Sequence, residues 1–211
     1  MAEVPTTQSF PLFEQTAQWF ERAHAALLGE LPCRQGCSHC CVGIFAVTVL
    51  DQQVIQFGLS KLSESHRNRI VEIAAAQITD LTAAVPQLLT NRFVDHWPEQ
   101  DCEQVIEQCA NWPCPALESD GGCAIYQFRP LVCRSMGIPS EDDDRVNGAC
   151  AVQTSIPLIR LSRALREEED RLAALEANEL ETLRHQQGEE GEEMLLPFAF
   201  IPEASARAIS A

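Results

Sequence analysis

Apolar positions recur every three or four residues over much of this chain, so most of the elements they predict are helices. From Pro11 to Leu31, the positions Phe13, Ala17, Phe20, His24, Leu27 and Leu31 share one helical face, with Pro11 suited to the first turn and Pro32 as the stop. Val42 to Leu50 is nearly all apolar and rich in β-branched residues, which predicts a short buried strand. Asp51 then reads as the N-cap of a second helix carrying Val54, Ile55, Phe57 and Leu62. A third helix has the stripe Ile70, Ala74, Ile78, Leu81, Val85 and Leu88, kinked or ended by Pro86.

Asp101 to Ala110 predicts a shorter helix, broken at Trp112-Pro113. Asp120-Gly121-Gly122 signals a turn between two short extended pieces. The run Glu141 to Asp144 reads as a solvated acidic loop. Ser155 is the expected cap of a last long helix with Leu158, Leu161, Leu165, Leu172 and Leu175 on one side, which docks on the body or pairs with another chain. Docking is the simpler expectation for so short a repeat. Gly188 to Glu193 reads as an acidic link, and Leu195 to Ile201 as an extended apolar tail packing back. The fold class is therefore mainly α with minor β. The expected organisation is a frayed segment at 1–9, a cysteine-cluster domain at 10–154, and a C-terminal helix and tail at 155–211.

Composition narrows the function. The 211 residues include 31 acidic and 15 basic ones, a formal charge of −16, and Lys61 is the only lysine. Such a chain repels a polyanion and has no basic stripe, so nucleic acid is not an expected partner. A protein partner, if there is one, would be neutral or basic. No run of about 18 apolar residues is present, so no membrane span is expected. Met1 to Phe10 lacks the basic-then-apolar pattern of a secretory signal, which places the expected location in the cytoplasm.

Ten cysteines in a reducing compartment point to metal ligands or redox groups rather than to a disulfide framework. Cys33, Cys37, Cys40 and Cys41 form one cluster, with His39 inside it. Cys114-Pro115-Ala116-Leu117, Cys123-Ala124-Ile125-Tyr126 and Arg129-Pro130 through Cys133-Arg134 form the second, and Cys150 follows the acidic run. Closely spaced thiolates suit zinc or an iron–sulfur cluster. The second segment has no local Cys-x-x-Cys turn, so the two segments are expected to meet in space. The adjacent thiols Cys40 and Cys41 point in different directions in most backbones, so they would serve one ion only with strain. Two four-thiolate sites, one multinuclear site, or one site with spare thiols all fit this spacing.

The candidate metal ligands are Cys33, Cys37, Cys40, Cys41, Cys114, Cys123, Cys133 and Cys150. Arg129 and Arg134 flank Cys133 and are candidates for binding the centre or an anionic ligand through charge-assisted hydrogen bonds. Tyr126 is expected to pack with its hydroxyl at the rim. Cys102 and Cys109 share a helical stripe with Val105 and Ile106 and read as core thiols.

These motifs resemble the YkgJ-type cysteine-cluster proteins, described as zinc- or iron-chelating domains. The resemblance rests on Cys33, Cys37, Cys40 and Cys41, Cys114 to Leu117, Cys123 to Tyr126, and Arg129 to Arg134, over about residues 33–150. Three residues rather than two separate Cys33 from Cys37, a departure from the family spacing. A flagellin lysine N-methylase has a similar cluster, for which an iron–sulfur centre is suggested. The resemblance implies a metal site holding zinc or iron, whether as a metal-binding protein without a defined reaction, a group-transfer enzyme of the protein-methylase kind, or a thiol redox protein.

Overall fold

The computed structural model describes residues 9–27, 36–138, 140–142, 145–147, 161–187 and 191–202. Expectations placed on Leu31, Pro32, Cys33, Cys150, Ser155, Leu158 and residues 188–190 lie outside the described residues.

The first helix, α1, runs Pro11–Ala26. Its buried positions are Leu12, Phe13, Thr16, Trp19 and Ala23, so the core face is turned from the predicted one, leaving Ala17, Phe20 and His24 at its edge. Trp19 sets that rotation. Its large ring is buried, and its indole N–H donates to the Leu165 carbonyl at 2.9 Å. A buried indole needs such a partner.

The predicted strand over 42–50 is mostly something else. Only Ala46–Thr48 forms a strand, β1, and helix α2 (Val49–Ser60) starts at once. A capping box decides this boundary: the Asp51 N–H donates to Thr48 Oγ1 at 3.3 Å, and the Thr48 N–H donates to Asp51 Oδ2 at 3.1 Å. The N-cap is therefore Thr48, and Asp51 is the reciprocating acid in the first turn. A short apolar run looks the same in a buried strand and a buried helix, which is why the pattern alone misplaced the start.

Helix α3 (Glu64–Ala84) buries Ile70, Ala74, Ile78 and Leu81 as the stripe predicts. It ends before Pro86, where a 3-10 turn, Pro86–Leu89, buries Leu88. Helix α4 runs Glu99–Gln108, starting two residues before Asp101.

The C-terminal tail completes the core. After a five-residue helix α5 (Leu131–Ser135), strands β2 (Ser140–Asp142) and β3 (Arg145–Asn147) pair antiparallel, so part of the expected acidic loop is a hairpin. Local antiparallel closure satisfies backbone groups that composition alone assigns to a loop. Helix α6 (Arg163–Gln187) starts after Ser162, whose hydroxyl accepts from the Leu165 N–H at 3.4 Å. It packs on α1 through the Trp19 bond and an Arg22–Glu168 ion pair, with Leu172 and Leu180 buried.

Strand β4 (Glu193–Leu195) then pairs antiparallel with β1, Val47 opposite Met194, and the chain turns into a short helix α7 (Leu196–Ala199). The tail is thus a strand and a helical turn rather than an extended segment. Leu195, Leu196, Ala199 and Phe200 are among the most buried residues. Gln56 on α2 anchors the turn by donating to the Ala199 carbonyl at 2.7 Å. Gly191 leads into β4 where any side chain would collide: a Cβ there would lie 2.5 Å from the Phe93 Cβ.

Candidate metal centre

The first cysteine segment is a tight turn. Gly36 and Gly43 adopt positive φ, +91° and +97°, on either side of a 3-10 turn at His39–Cys41. The Cys41 N–H closes it on the Ser38 carbonyl at 2.9 Å. This turn is tied backbone to backbone to the second segment. The Gly43 N–H donates to the Trp112 carbonyl at 2.7 Å, and the Cys114 N–H donates to the Cys41 carbonyl at 2.8 Å. Gln77, a polar residue on the buried side of α3, donates to the Pro113 carbonyl at 2.8 Å and holds that strand of chain from behind.

The predicted turn at Asp120-Gly121-Gly122 folds the second segment on itself. Leu117 and Cys123 form an antiparallel bridge, and the Ala124 N–H donates to the Ala116 carbonyl at 2.9 Å. At the tip, Gly121 has φ +83°, and a Cβ there would lie 3.1 Å from the Gly36 carbonyl oxygen. The tip therefore seats against the first segment because it lacks a side chain.

A 3-10 turn at Tyr126–Phe128 follows, and Pro130 leads into α5, which carries Cys133. Asp51 fastens that start as well: the Leu131 N–H donates to Asp51 Oδ1 at 2.7 Å. One buried carboxylate thus caps α2 with one oxygen and α5 with the other.

The result is a cavity whose wall includes Cys37, Cys40, Cys41, Cys114, Cys123 and Cys133. The fold brings together all six predicted ligands that lie within the described residues. The eight cysteines among the described residues are free thiols. Cys109 is buried on the α4 side and Cys102 is half-buried there; neither lines the cavity. His39 is exposed and does not line it either.

The thiols sense one another. Cys41 donates its S–H to Cys40, which holds the Cys40 thiol down at about 6 and pushes the Cys41 thiol up. Burial, with an added push from Cys123 and Cys40, drives Cys114 up to about 12. Cys133 is raised well above its ordinary value by burial and then by Cys114, Cys40 and Cys123. Burial also raises Cys123. The thiolates of Cys114, Cys123 and Cys133 are therefore disfavoured chiefly by lost hydration, with neighbouring thiols adding to it. A divalent cation among these sulfurs would reverse both effects, and soft thiolate donors suit zinc or iron. The donor set fits such a group chemically. Among the described residues, no three His, Cys, Asp or Glu side chains are grouped so as to hold an ion as they stand, the thiols being spread around the cavity.

The two arginines differ. Arg129 lines the cavity, its guanidinium 4.0 Å from the centre of the Tyr126 ring, and its charge favours the thiolates of Cys40 and Cys123. Arg134 is 6 % exposed and is held by backbone: its Nε donates to the Arg129 carbonyl at 3.1 Å and its Nη2 to the Gln127 carbonyl at 2.6 Å. It sits over Phe13, with its charge set against Asp51, and so locks the turn that aims Cys133.

Sequence reasoning did not find the apolar part of the cavity lining, which includes Phe20, Phe45, Met136, Leu196 and Phe200. Nor did it single out Gln77, although a glutamine within the α3 stripe is a signal of a buried polar contact. Residues 32–151 match the CxxCxxCC family, described as a putative zinc- or iron-chelating domain. The chain belongs to that family. Comparisons with curated proteins and with solved structures returned no match. No described helix is long and apolar enough to cross a membrane.

Proposed function

We propose that this protein holds zinc or an iron–sulfur cluster through thiolates in the cavity between its two cysteine segments. The ligands are drawn from Cys37, Cys40, Cys41, Cys114, Cys123 and Cys133, joined by Cys33 and Cys150. The observation that carries this reading is that six cysteines, separated by up to a hundred positions in the chain, line one cavity while Cys102 and Cys109 stay outside it. Arg129 lessens the negative charge of the centre. A reducing, cytoplasmic setting would keep these thiols available to the metal. The bound group would tie the turn at Cys37 to Cys41 to the segment from Cys114 to Cys133, so its binding adds to folding stability.

The test is anaerobic purification without added metal, followed by an absorption spectrum, elemental analysis and acid-labile sulfide on one sample. Iron with sulfide and broad visible absorption assigns a cluster. Colourless protein with stoichiometric zinc assigns a zinc centre. Colourless protein free of both metals overturns the proposal.

A further inference from the structure

Helix α2 carries a glycine where its own stability gives no reason for one. Gly58 is helical and buried, two residues before Ser60 ends the helix. Glycine is the poorest helix former after proline, and α2 closes on Lys61 rather than on Gly58. A buried helical glycine of this kind points to the close approach of another part of the chain.

That part is the turn between two of the candidate ligands. A Cβ on Gly58 would lie 2.6 Å from the Phe128 Cβ, 3.0 Å from its Cγ and 3.1 Å from its Cδ2. The nearest of these atoms is fixed to the backbone, so no side-chain rotation relieves the overlap. Moving from 2.6 Å to ordinary contact at 3.4 Å would shift the turn by roughly 0.8 Å. Metal–ligand distances tolerate only about 0.2 Å.

The turn is tied to the ligands on both sides. The Phe128 N–H donates to the Ile125 carbonyl at 2.7 Å and the Tyr126 N–H to the Cys123 carbonyl at 3.1 Å, so a displacement reaches Cys123. Arg134 grips the Gln127 and Arg129 carbonyls and stands next to Cys133 on α5. Helix α2 meets this segment twice on one face. Asp51 holds the Leu131 N–H, and Gly58, two turns further on, receives Phe128, whose ring meets that of Phe57 edge-on at 5.4 Å.

We propose that Gly58 is a positioning residue for the metal centre. Its missing side chain is the notch that seats the Tyr126–Phe128 turn on α2, and so sets where Cys123 and Cys133 stand around the cavity. The inference rests on the metal-centre reading and extends it to a residue that does not line the cavity.

The test compares Gly58→Ala with Gly191→Ala. A Cβ at Gly191 meets a comparable obstacle, the Phe93 Cβ at 2.5 Å, but outside both cysteine segments. Each protein is isolated anaerobically without added metal. Release of its metal into excess EDTA is followed by elemental analysis of the protein, and stability by urea unfolding. Both variants should lose stability. Only Gly58→Ala should release metal faster, by about tenfold or more, the scale seen when the groups behind metal ligands are disturbed. Moving the notch across the contact, in Gly58→Ala with Phe128→Gly, should bring release back towards wild type although stability stays low. Equal release from wild type and a folded Gly58→Ala, or equal acceleration in Gly191→Ala, overturns this inference and leaves the metal reading standing. So does a folded swapped protein that releases metal no more slowly than Gly58→Ala. If Gly58→Ala does not fold, the swapped protein decides, and release about tenfold faster than wild type overturns the inference. Wild-type protein that carries no metal overturns the metal reading, and this inference with it.

Discussion

Replacing Asp51 by alanine removes one side chain and loosens two helix starts. Its Oδ2 accepts from the Thr48 N–H at 3.1 Å, and its Oδ1 from the Leu131 N–H at 2.7 Å. Both donors become buried and unpaired in Asp51→Ala. Each unsatisfied buried group costs about 1–3 kcal/mol, and loss of a cap alone costs roughly 0.5–2 kcal/mol. Against this stands the relief of a buried carboxylate, whose pKa is raised chiefly by lost hydration. The net loss expected is roughly 2–4 kcal/mol, or about 4–16 °C in Tm for a chain of this size.

The assay is urea unfolding at pH 7.5, with metal content held equal because bound metal adds its own stability. Asp51→Asn is the internal control. Its amide keeps one acceptor oxygen but presents an N–H₂ to the other donor, so it should fall between wild type and alanine. A loss below about 0.5 kcal/mol in Asp51→Ala, or an asparagine variant no better than alanine, would refute the reasoning. Because Leu131 starts the helix that carries Cys133, Asp51→Ala should also weaken metal retention on competition with a chelator.

Three further outcomes are expected. Cys123→Ser should lose metal and lower Tm, with about 2.7 kcal/mol of stability lost if the centre is saturated at a hundred times its Kd, whereas Cys102→Ser should keep wild-type metal by elemental analysis; equal metal in both contradicts the assignment. Burial, then Asp51, Glu193 and Glu179, push the pKa of Glu176 up to about 7 from an ordinary 4.5. Its folded pKa is raised, so its contribution to stability is present below the unfolded value and is lost as pH rises through 7. Between pH 5.5 and 8 the unfolding free energy of wild type should therefore fall more than that of Glu176→Gln, by roughly 1 kcal/mol after solvent screening, and parallel profiles in urea unfolding would remove this account. Trp19→Phe should cost about 1–2 kcal/mol through the lost bond to the Leu165 carbonyl, with hydrogen exchange accelerated mainly in α6; uniform acceleration across α1 to α4 would place the effect in general core loosening instead.

The order and type of the long helices, the turn at Gly121, and the likeness to a metal-chelating family were all legible in the sequence. These are local or one-dimensional properties. A stripe of Ile70, Ala74, Ile78 and Leu81 buries one face of α3 whatever lies against it, and a Gly-Gly turn follows from backbone sterics. Cysteine spacing selects the chemistry because sulfur donors choose soft metals. Other features needed the tertiary structure. Val42 to Leu50 is equally apolar as strand or helix, and only β4, arriving from near the other end of the chain, and the Thr48–Asp51 exchange divide it. The face of α1 turns on a carbonyl of α6, nearly 150 positions away. The apolar lining that shares the cavity with the thiols comes in part from α1, the approach to β1 and the C-terminal tail. No window of sequence contains that juxtaposition, because it arises from long-range packing that buries the tail beneath the cysteine segments.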